Sequence, residues 1–177
     1  LKKIVIIGPE STGKSSLCEQ LSDHFKTQWV REYAREYLLQ HGTKYSFEDL
    51  LTIAKGQLQL EDTAVAQLST TNHQPSTLII DTDMYVMKVW CEFVFEKCHH
   101  WILNQIVERK YDLYLFCNID APWVKDELRE YPDLKSRTQL YHHYKDILVN
   151  QNIPWVDISG TYEERIQKAI AAVNAVI

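Results

Sequence analysis

Two hydrophobic periods alternate along this chain. Short, nearly unbroken apolar runs stand at KKIVIIG (2–8), TLIID (77–81), YDLYLFC (111–117) and IPWVDI (153–158). Runs of this kind suit strands buried on both faces of a parallel sheet. TQWV (27–30) is a weaker run of the same type. Between the runs, apolar residues recur at helical spacing. Leu17, Leu21 and Phe25 mark a first helix, with Cys18 beside them, and REYAREYLLQHG reads as a second that closes at Gly42. Ser46 and Asp49 have capping-box spacing ahead of an apolar stripe of Leu51, Ala54, Leu58 and Val65. TTNHQPS (70–76) is a polar loop. Val86, Val89, Trp90 and Phe93 predict a further helix, continued by Trp101, Ile102 and Ile106.

The segment APWVKDELREYPDLKSR (121–137) opens with a proline suited to a helix start and breaks at Pro132. Leu140, Tyr144, Ile147 and Leu148 mark the next helix. A second capping box, Thr161 and Glu164, precedes Ile166, Ile170 and Val173. Strand and helix alternate from end to end, with no repeat or linker. The expectation is an α/β fold: one domain over 1–177, a five-stranded parallel sheet with helices on both faces.

The loop between the first strand and first helix reads GPESTGKSS. It fits G-x-x-x-x-G-K-[ST] at Gly8, Gly13, Lys14 and Ser15. Glycines let backbone N–H groups turn inward around a phosphate, and the following helix adds the positive end of its dipole. Lys14 can reach terminal phosphates, and the Ser15 hydroxyl can ligate Mg²⁺. Asp81 ends a buried strand, where ligands of parallel sheets bind, and a carboxylate there can hold Mg²⁺ through water. Asp83 either meets a substrate hydroxyl or caps the helix after it. In REYARE, Glu32, Arg35 and Glu36 share one helical face. From pattern alone a solvated ion-pair face is preferred; the other reading is a base and a guanidinium facing an acceptor. Arg129 and Arg137 flank a helix break and either close over a transferring phosphoryl group or lie on an ordinary surface loop. Trp90, Trp101, Trp123 and Trp155 could stack on a ring, but their spacing favours core.

Composition narrows the partners. The 177 residues are 45% hydrophobic and 24% charged, with a formal net charge of −5, which argues against a broad nucleic-acid face. No apolar run approaches a membrane span, and the leading lysines and short apolar run belong to a strand rather than a signal peptide. The first residue is Leu, which points to a missing native start. Cys18, Cys91, Cys98 and Cys117 include no C-x-x-C pair, as expected of reduced thiols in a cytoplasmic chain. Cys98–His100 reads as a helix surface or end rather than a metal site.

The segments after the strands narrow the chemistry. A GTP switch needs N-K-x-D; CNIDAPW supplies Asn118 and Asp120 without the lysine. A compact chain with its own arginines after the fourth strand has the layout of a small phosphoryl-transfer kinase, with ISGTYEE placed as an adenine loop.

GPESTGKSSL, REYARE, LIIDTD with KVW after it, DAPWVKDELR, Arg137 and IPWVDISGTYEERI run nearly end to end. On these segments the chain resembles the ribosylnicotinamide kinase domain of NadR-type NAD-biosynthesis proteins, a branch of P-loop kinases often labelled AAA-type ATPases. The resemblance implies a P-loop NTPase fold of nucleoside- or nucleotide-kinase type. It also implies ATP-dependent, Mg²⁺-assisted phosphorylation of the ribose 5′-hydroxyl of nicotinamide riboside, giving nicotinamide mononucleotide. It places the nucleotide on Gly8, Glu10, Ser11, Thr12, Gly13, Lys14, Ser15 and Ser16. Glu32 becomes the preferred base, with Asp83 its rival; Tyr33 and Arg35 lie beside the acceptor; Lys14, Asp81, Arg129 and Arg137 serve the transfer, the arginines as lid residues. The adenylyltransferase signature H-x-G-H is absent, so the chain reads as the kinase part alone, stand-alone or excised. The alternatives are a kinase of another nucleoside or small metabolite, and a regulatory nucleotide-binding ATPase without a small acceptor.

Overall fold

The computed structural model describes residues 1–70, 76–125 and 127–177. The elements run β1 (Lys2–Ile7), α1 (Lys14–Phe25), β2 (Trp29–Val30), α2 (Tyr33–His41), α3 (Phe47–Ser69), β3 (Thr77–Asp81), α4 (Met84–Phe95), α5 (His100–Glu108), β4 (Leu113–Cys117), α6 (Leu134–Val149), β5 (Trp155–Ile158) and α7 (Tyr162–Asn174). The five strands form one parallel sheet in the order β2-β3-β1-β4-β5. This is the α/β arrangement of P-loop NTPases.

The apolar runs explain the layering. Side chains of β1 alternate between faces. Val5 and Ile7 join Leu78, Ile80, Tyr114 and Phe116 against α3, α4 and α6. Ile4 and Ile6 join Ile79, Leu113 and Leu115 against α1 and α7. A third cluster, off the sheet, unites α2, α3, α4 and α5 through residues such as Leu50, Ile53, Met87 and Ile102. Because β1 is central, its C-terminal end carries the phosphate loop between β3 and β4, at the middle of the sheet edge.

Four local expectations change. The second strand shrinks to Trp29–Val30, an edge pairing with β3 alone. The stripe of α3 rotates: Leu50, Ile53, Ala54, Leu58, Ala64 and Leu68 are buried, whereas Leu51 and Val65 are half-buried. The shift arises because Gln57 and Glu61 are also buried, which a hydrophobic count misses. Glu61 is matched by Lys3 Nζ at 2.8 Å and the Tyr111 hydroxyl at 2.9 Å. The helix beginning at Met84 does not continue through Trp101. Glu96 closes α4 with φ 56°, and α5 starts after His99, whose ring stacks on Phe47 at 3.7 Å. Cys98–His100 is thus a helix end. Finally, Pro122 starts no helix among the described residues. Backbone N–H groups there are taken by phosphate-loop side chains, and the next helix waits for Asp133, which accepts from Ser136 N at 2.8 Å. Residues 71–75 of the polar loop lie outside the described residues.

Candidate active site

The phosphate loop is fixed by close approach and by side chains that bond its own backbone. Gly8 follows β1 directly, beside β4; a Cβ there would stand 2.7 Å from the Cys117 carbonyl oxygen. Gly13 precedes α1 with φ 81°, a left-handed turn that a Cβ would strain. The Thr12 hydroxyl donates to the Pro9 carbonyl at 2.7 Å, and Lys14 Nζ donates to the same carbonyl at 3.1 Å. The first N–H groups of α1 are left to face an anion, and Lys14 supplies a charge at the same place.

Asp81 stands opposite this loop, at the end of β3 next to Ile6. Ser15 Oγ donates to its Oδ2 at 2.6 Å, while its buried Oδ1 has no hydrogen-bond partner among the described residues. Burial above all, and then the Glu32 carboxylate, push the Asp81 pKa up to about 6 against the opposing pull of Lys14. A hydroxyl and an under-satisfied carboxylate are the oxygen donors that a hard divalent cation takes, so Ser15 and Asp81 fit Mg²⁺.

Glu32 stands at the N-cap position of α2, just outside the helix, with no capping bond from its side chain, and lines the cavity together with Arg35. Thr82 Oγ1 donates to Glu32 Oε1 at 3.5 Å, and Thr82 itself holds φ 79°. Glu36 turns outward to Gln40. Gln57 fixes the backbone on either side of Glu32. Its Oε1 accepts from Tyr33 N at 2.7 Å, and its Nε2 donates to Arg31 O at 3.3 Å and Asp81 O at 3.2 Å. One buried amide thus joins the ends of β2 and β3. Nothing in the periodicity singled it out; only its place in an apolar stripe could have.

A cavity of about 240 Å³ opens over the phosphate loop. Residues 8–16 form its floor, Glu32, Ala34 and Arg35 one side, and Val86, Val89, Trp90, Phe93 and Tyr144 an apolar, aromatic wall. Leu128–Tyr131, a strap between β4 and α6, also line it. Glu10 accepts from Glu130 N at 3.1 Å and from Tyr131 N; Ser11 Oγ accepts from Val124 N at 2.7 Å. Arg129 Nη1 donates to the Val124 carbonyl. The Glu130 carboxylate accepts from the Tyr45 hydroxyl at 2.8 Å, which accepts in turn from Trp90 Nε1 at 2.9 Å.

Three residues stand elsewhere than expected. Asp83 is 1% exposed and off the cavity. Its Oδ1 accepts from Tyr85 N and Val86 N at 3.0 and 3.3 Å, and its Oδ2 from the Tyr114 hydroxyl at 2.7 Å. Of its two readings, the structure takes the helix cap, and burial raises its pKa to about 6. The Tyr33 ring packs on α3, where a Cβ at Gly56 would collide with it, not on the cavity. Arg137 is buried in the first turn of α6 and donates to the Ile119 and Ala121 carbonyls at 3.3 and 3.1 Å. It holds the loop after β4 rather than riding on a mobile segment.

Arg165 went unmarked in the sequence because it sits in the first turn of a helix, where its spacing is that of any surface cation. It is 5% exposed and ties three loops together. It donates at 3.0 Å to each of the Thr12, Asn118 and Gly160 carbonyls, and it pairs with Asp120. A small cleft of about 20 Å³ beside it is lined by Gly13, Ser16, Gln20 and Tyr162, next to the loop where the adenine was expected.

Residues 3–165 match the family model described as an AAA domain. The chain belongs to this AAA domain family. It is 27% identical over 179 residues to the trifunctional NAD biosynthesis/regulator protein NadR of Escherichia coli (strain K12), covering 98% of this chain and 42% of that protein. The NadR of Salmonella typhimurium (strain LT2) matches at the same identity and coverage. The chain therefore spans less than half the length of these curated relatives. Among solved structures, a NadR protein in complex with NR superposes with a TM-score of 0.82 at 22% identity, covering 99% of this chain and 49% of that one. A deoxyadenosine kinase from M. mycoides superposes at 0.66 with 15% identity, covering 98% of this chain and all of that one. These likenesses are to the fold, the α/β arrangement described above.

Proposed function

We infer that this AAA-family domain is an ATP-dependent kinase that phosphorylates the ribose 5′-hydroxyl of nicotinamide riboside to nicotinamide mononucleotide, a step of NAD biosynthesis. The observation that carries the reading is a cavity that joins a phosphate loop, an acid at its side and an aromatic wall. A triphosphate tail suits one end, and a nucleoside with a flat ring suits the other. Similarity to NadR over nearly the whole chain supports nicotinamide riboside as that nucleoside.

In this reading the loop N–H groups and Lys14 hold the β- and γ-phosphates and offset charge that builds on the transferring group. Ser15 and Asp81 would hold Mg²⁺, which would supply further positive charge toward the phosphate tail. Glu32 orients the 5′-hydroxyl and takes its proton as the oxygen attacks the γ-phosphorus and the bond to the β-phosphate bridging oxygen breaks. Arg35 and Arg129, which both line the cavity, neutralise the transferring group. Glu10, Ser11, Thr12 and Ser16 shape the nucleotide site, and Arg137 fixes the loop that carries the strap. Gln57, which accepts from the Tyr33 backbone N–H, holds the backbone beside Glu32.

The test is mass spectrometry of products from a nucleoside panel incubated with Mg²⁺·ATP. Nicotinamide riboside should gain one phosphate with one ADP released. Phosphorylation of a different nucleoside alone would retain the kinase and remove the substrate. ADP without any phosphorylated acceptor would leave a regulatory ATPase.

A further inference from the structure

Two residues of the phosphate loop have side-chain bonds that a phosphate seat does not explain. Glu10 places a carboxylate inside a cavity whose floor is meant for a polyanion. By charge alone it weakens phosphate binding. Yet both of its oxygens are engaged, one by the N–H of Glu130 and the other by the N–H of Tyr131. Its neighbour Ser11, in a left-handed turn at φ 58°, accepts the N–H of Val124 at 2.7 Å. These contacts bracket Arg129. The residue after it is fixed by Glu10, and the carbonyl its guanidinium bonds belongs to the residue fixed by Ser11.

All three bonds run to loop side chains from backbone N–H groups, two in the strap and one at Val124 ahead of it, so they are independent of the strap's own side chains. Hydrogen bonds to a carboxylate are about twice as strong as neutral ones, and two of them converge on Glu10. The Glu130 side chain is held from the far side by Tyr45. The strap is therefore seated on the phosphate loop itself, not merely near it.

We propose that Glu10 and Ser11 are positioning residues for Arg129: they dock the strap onto the phosphate loop so that the guanidinium is carried to the transferring phosphoryl group. This rests on the kinase reading above. It separates the loop into two duties. Lys14, Ser15 and the backbone serve the phosphates, while Glu10 and Ser11 serve the strap.

The test compares Glu10→Ala, Glu10→Gln and Ser11→Ala in the full chain. Glu10 and Ser11 are only partly buried, so folding should survive. With nicotinamide riboside and Mg²⁺·ATP, Glu10→Ala should lower kcat by roughly tenfold or more, the lesser end of what a misplaced transition-state group costs. ATP affinity should stay the same or tighten, since a negative charge has left the seat. Glu10→Gln, which keeps an acceptor but loses the charge, should fall between. ADP released per phosphorylated riboside should rise, because an unseated strap admits water. Amide hydrogen exchange gives a readout that needs no acceptor. Glu10→Ala should speed exchange at Glu130 and Tyr131, and Ser11→Ala at Val124. If wild type leaves nicotinamide riboside untouched, the substrate reading fails while exchange and ATP titration still judge the docking. Unchanged exchange in Glu10→Ala, or weaker ATP binding with kcat intact, would overturn the proposal and make Glu10 a plain nucleotide contact.

Discussion

Replacing Asp81 by Asn should make the protein more stable and inactive at once. Asp81 is 1% exposed, lies beside Glu32, and leaves Oδ1 without a partner among the described residues. Its folded pKa of about 6 lies above the ordinary carboxyl value of 3.8, so the folded chain binds a proton more tightly than the unfolded chain. For a carboxyl raised in this way, the folded state is favoured by this group at low pH. That advantage is lost as pH rises from about 4 to about 6, and the full cost of the buried charge is present above. A rise from 3.8 to about 6 corresponds to roughly 3 kcal/mol. Asn removes the charge but must still accept from Ser15 and find a site for its amide hydrogens. A gain of about 1–2 kcal/mol at neutral pH is the reasonable size.

The assay is thermal melting of wild type and Asp81→Asn without nucleotide or Mg²⁺, at pH 7.5 and at pH 4. For a chain of this length the gain translates to a rise of about 2–8 °C at pH 7.5. At pH 4 the two proteins should melt within about a degree of each other, since Asp81 is then largely protonated. Comparing the pair at each pH cancels the contribution of Asp83, whose pKa is raised in the same direction in both. An equal or lower melting temperature for Asp81→Asn at pH 7.5, or a gain of the same size at both pH values, would refute the claim that Asp81 is a strained, function-bearing charge. Phosphorylation should fail with every acceptor, because the lost carboxylate serves Mg²⁺·ATP.

The other predictions are narrower. Lys14→Ala should lower kcat by on the order of 10²-fold through lost stabilisation of the transferring group, read by steady-state kinetics. Glu32→Gln should cut phosphorylation of nicotinamide riboside by roughly 10²-fold with ATP affinity nearly unchanged; full activity would move the proton acceptor elsewhere. Arg137→Met should destabilise by ~2 kcal/mol in denaturant melts, because the Ile119 and Ala121 carbonyls lose a charged donor; an unaltered midpoint would return Arg137 to a mobile role. Gln57→Leu should raise KM for the acceptor more than for ATP, since it frees the backbone on both sides of Glu32; equal changes in both would make Gln57 merely structural.

The strands, the phosphate loop and both capping boxes were legible because each rests on a local pattern. Buried runs flanked by glycine, a glycine-lysine motif between strand and helix, and an S-x-x-D spacing need no knowledge of distant residues. The misplaced residues share a different cause. Arg137 and Arg165 look alike in sequence to solvated helix arginines, and only loop carbonyls as far as 153 residues away make them interior clamps. Gln57 and Glu61 occupy apolar-stripe positions, so a hydrophobic count rotated the buried face of α3 away from them. Asp83 offered two local readings, and the Tyr114 hydroxyl from β4 filled the lone pairs that a substrate would need.

Glu10 shows the limit most plainly. The phosphate motif leaves its position open to any residue, so the motif treats the acid as filler. Its meaning comes from Glu130 and Tyr131, 120 and 121 residues further along the chain. A local motif can specify where a phosphate sits, because backbone N–H groups do that work whatever the intervening side chains are. It cannot specify what closes over the phosphate, because closure depends on which distant segment the fold brings to those open positions. In this chain the fold delivers the strap, and an acid that opposes phosphate binding becomes intelligible as its anchor.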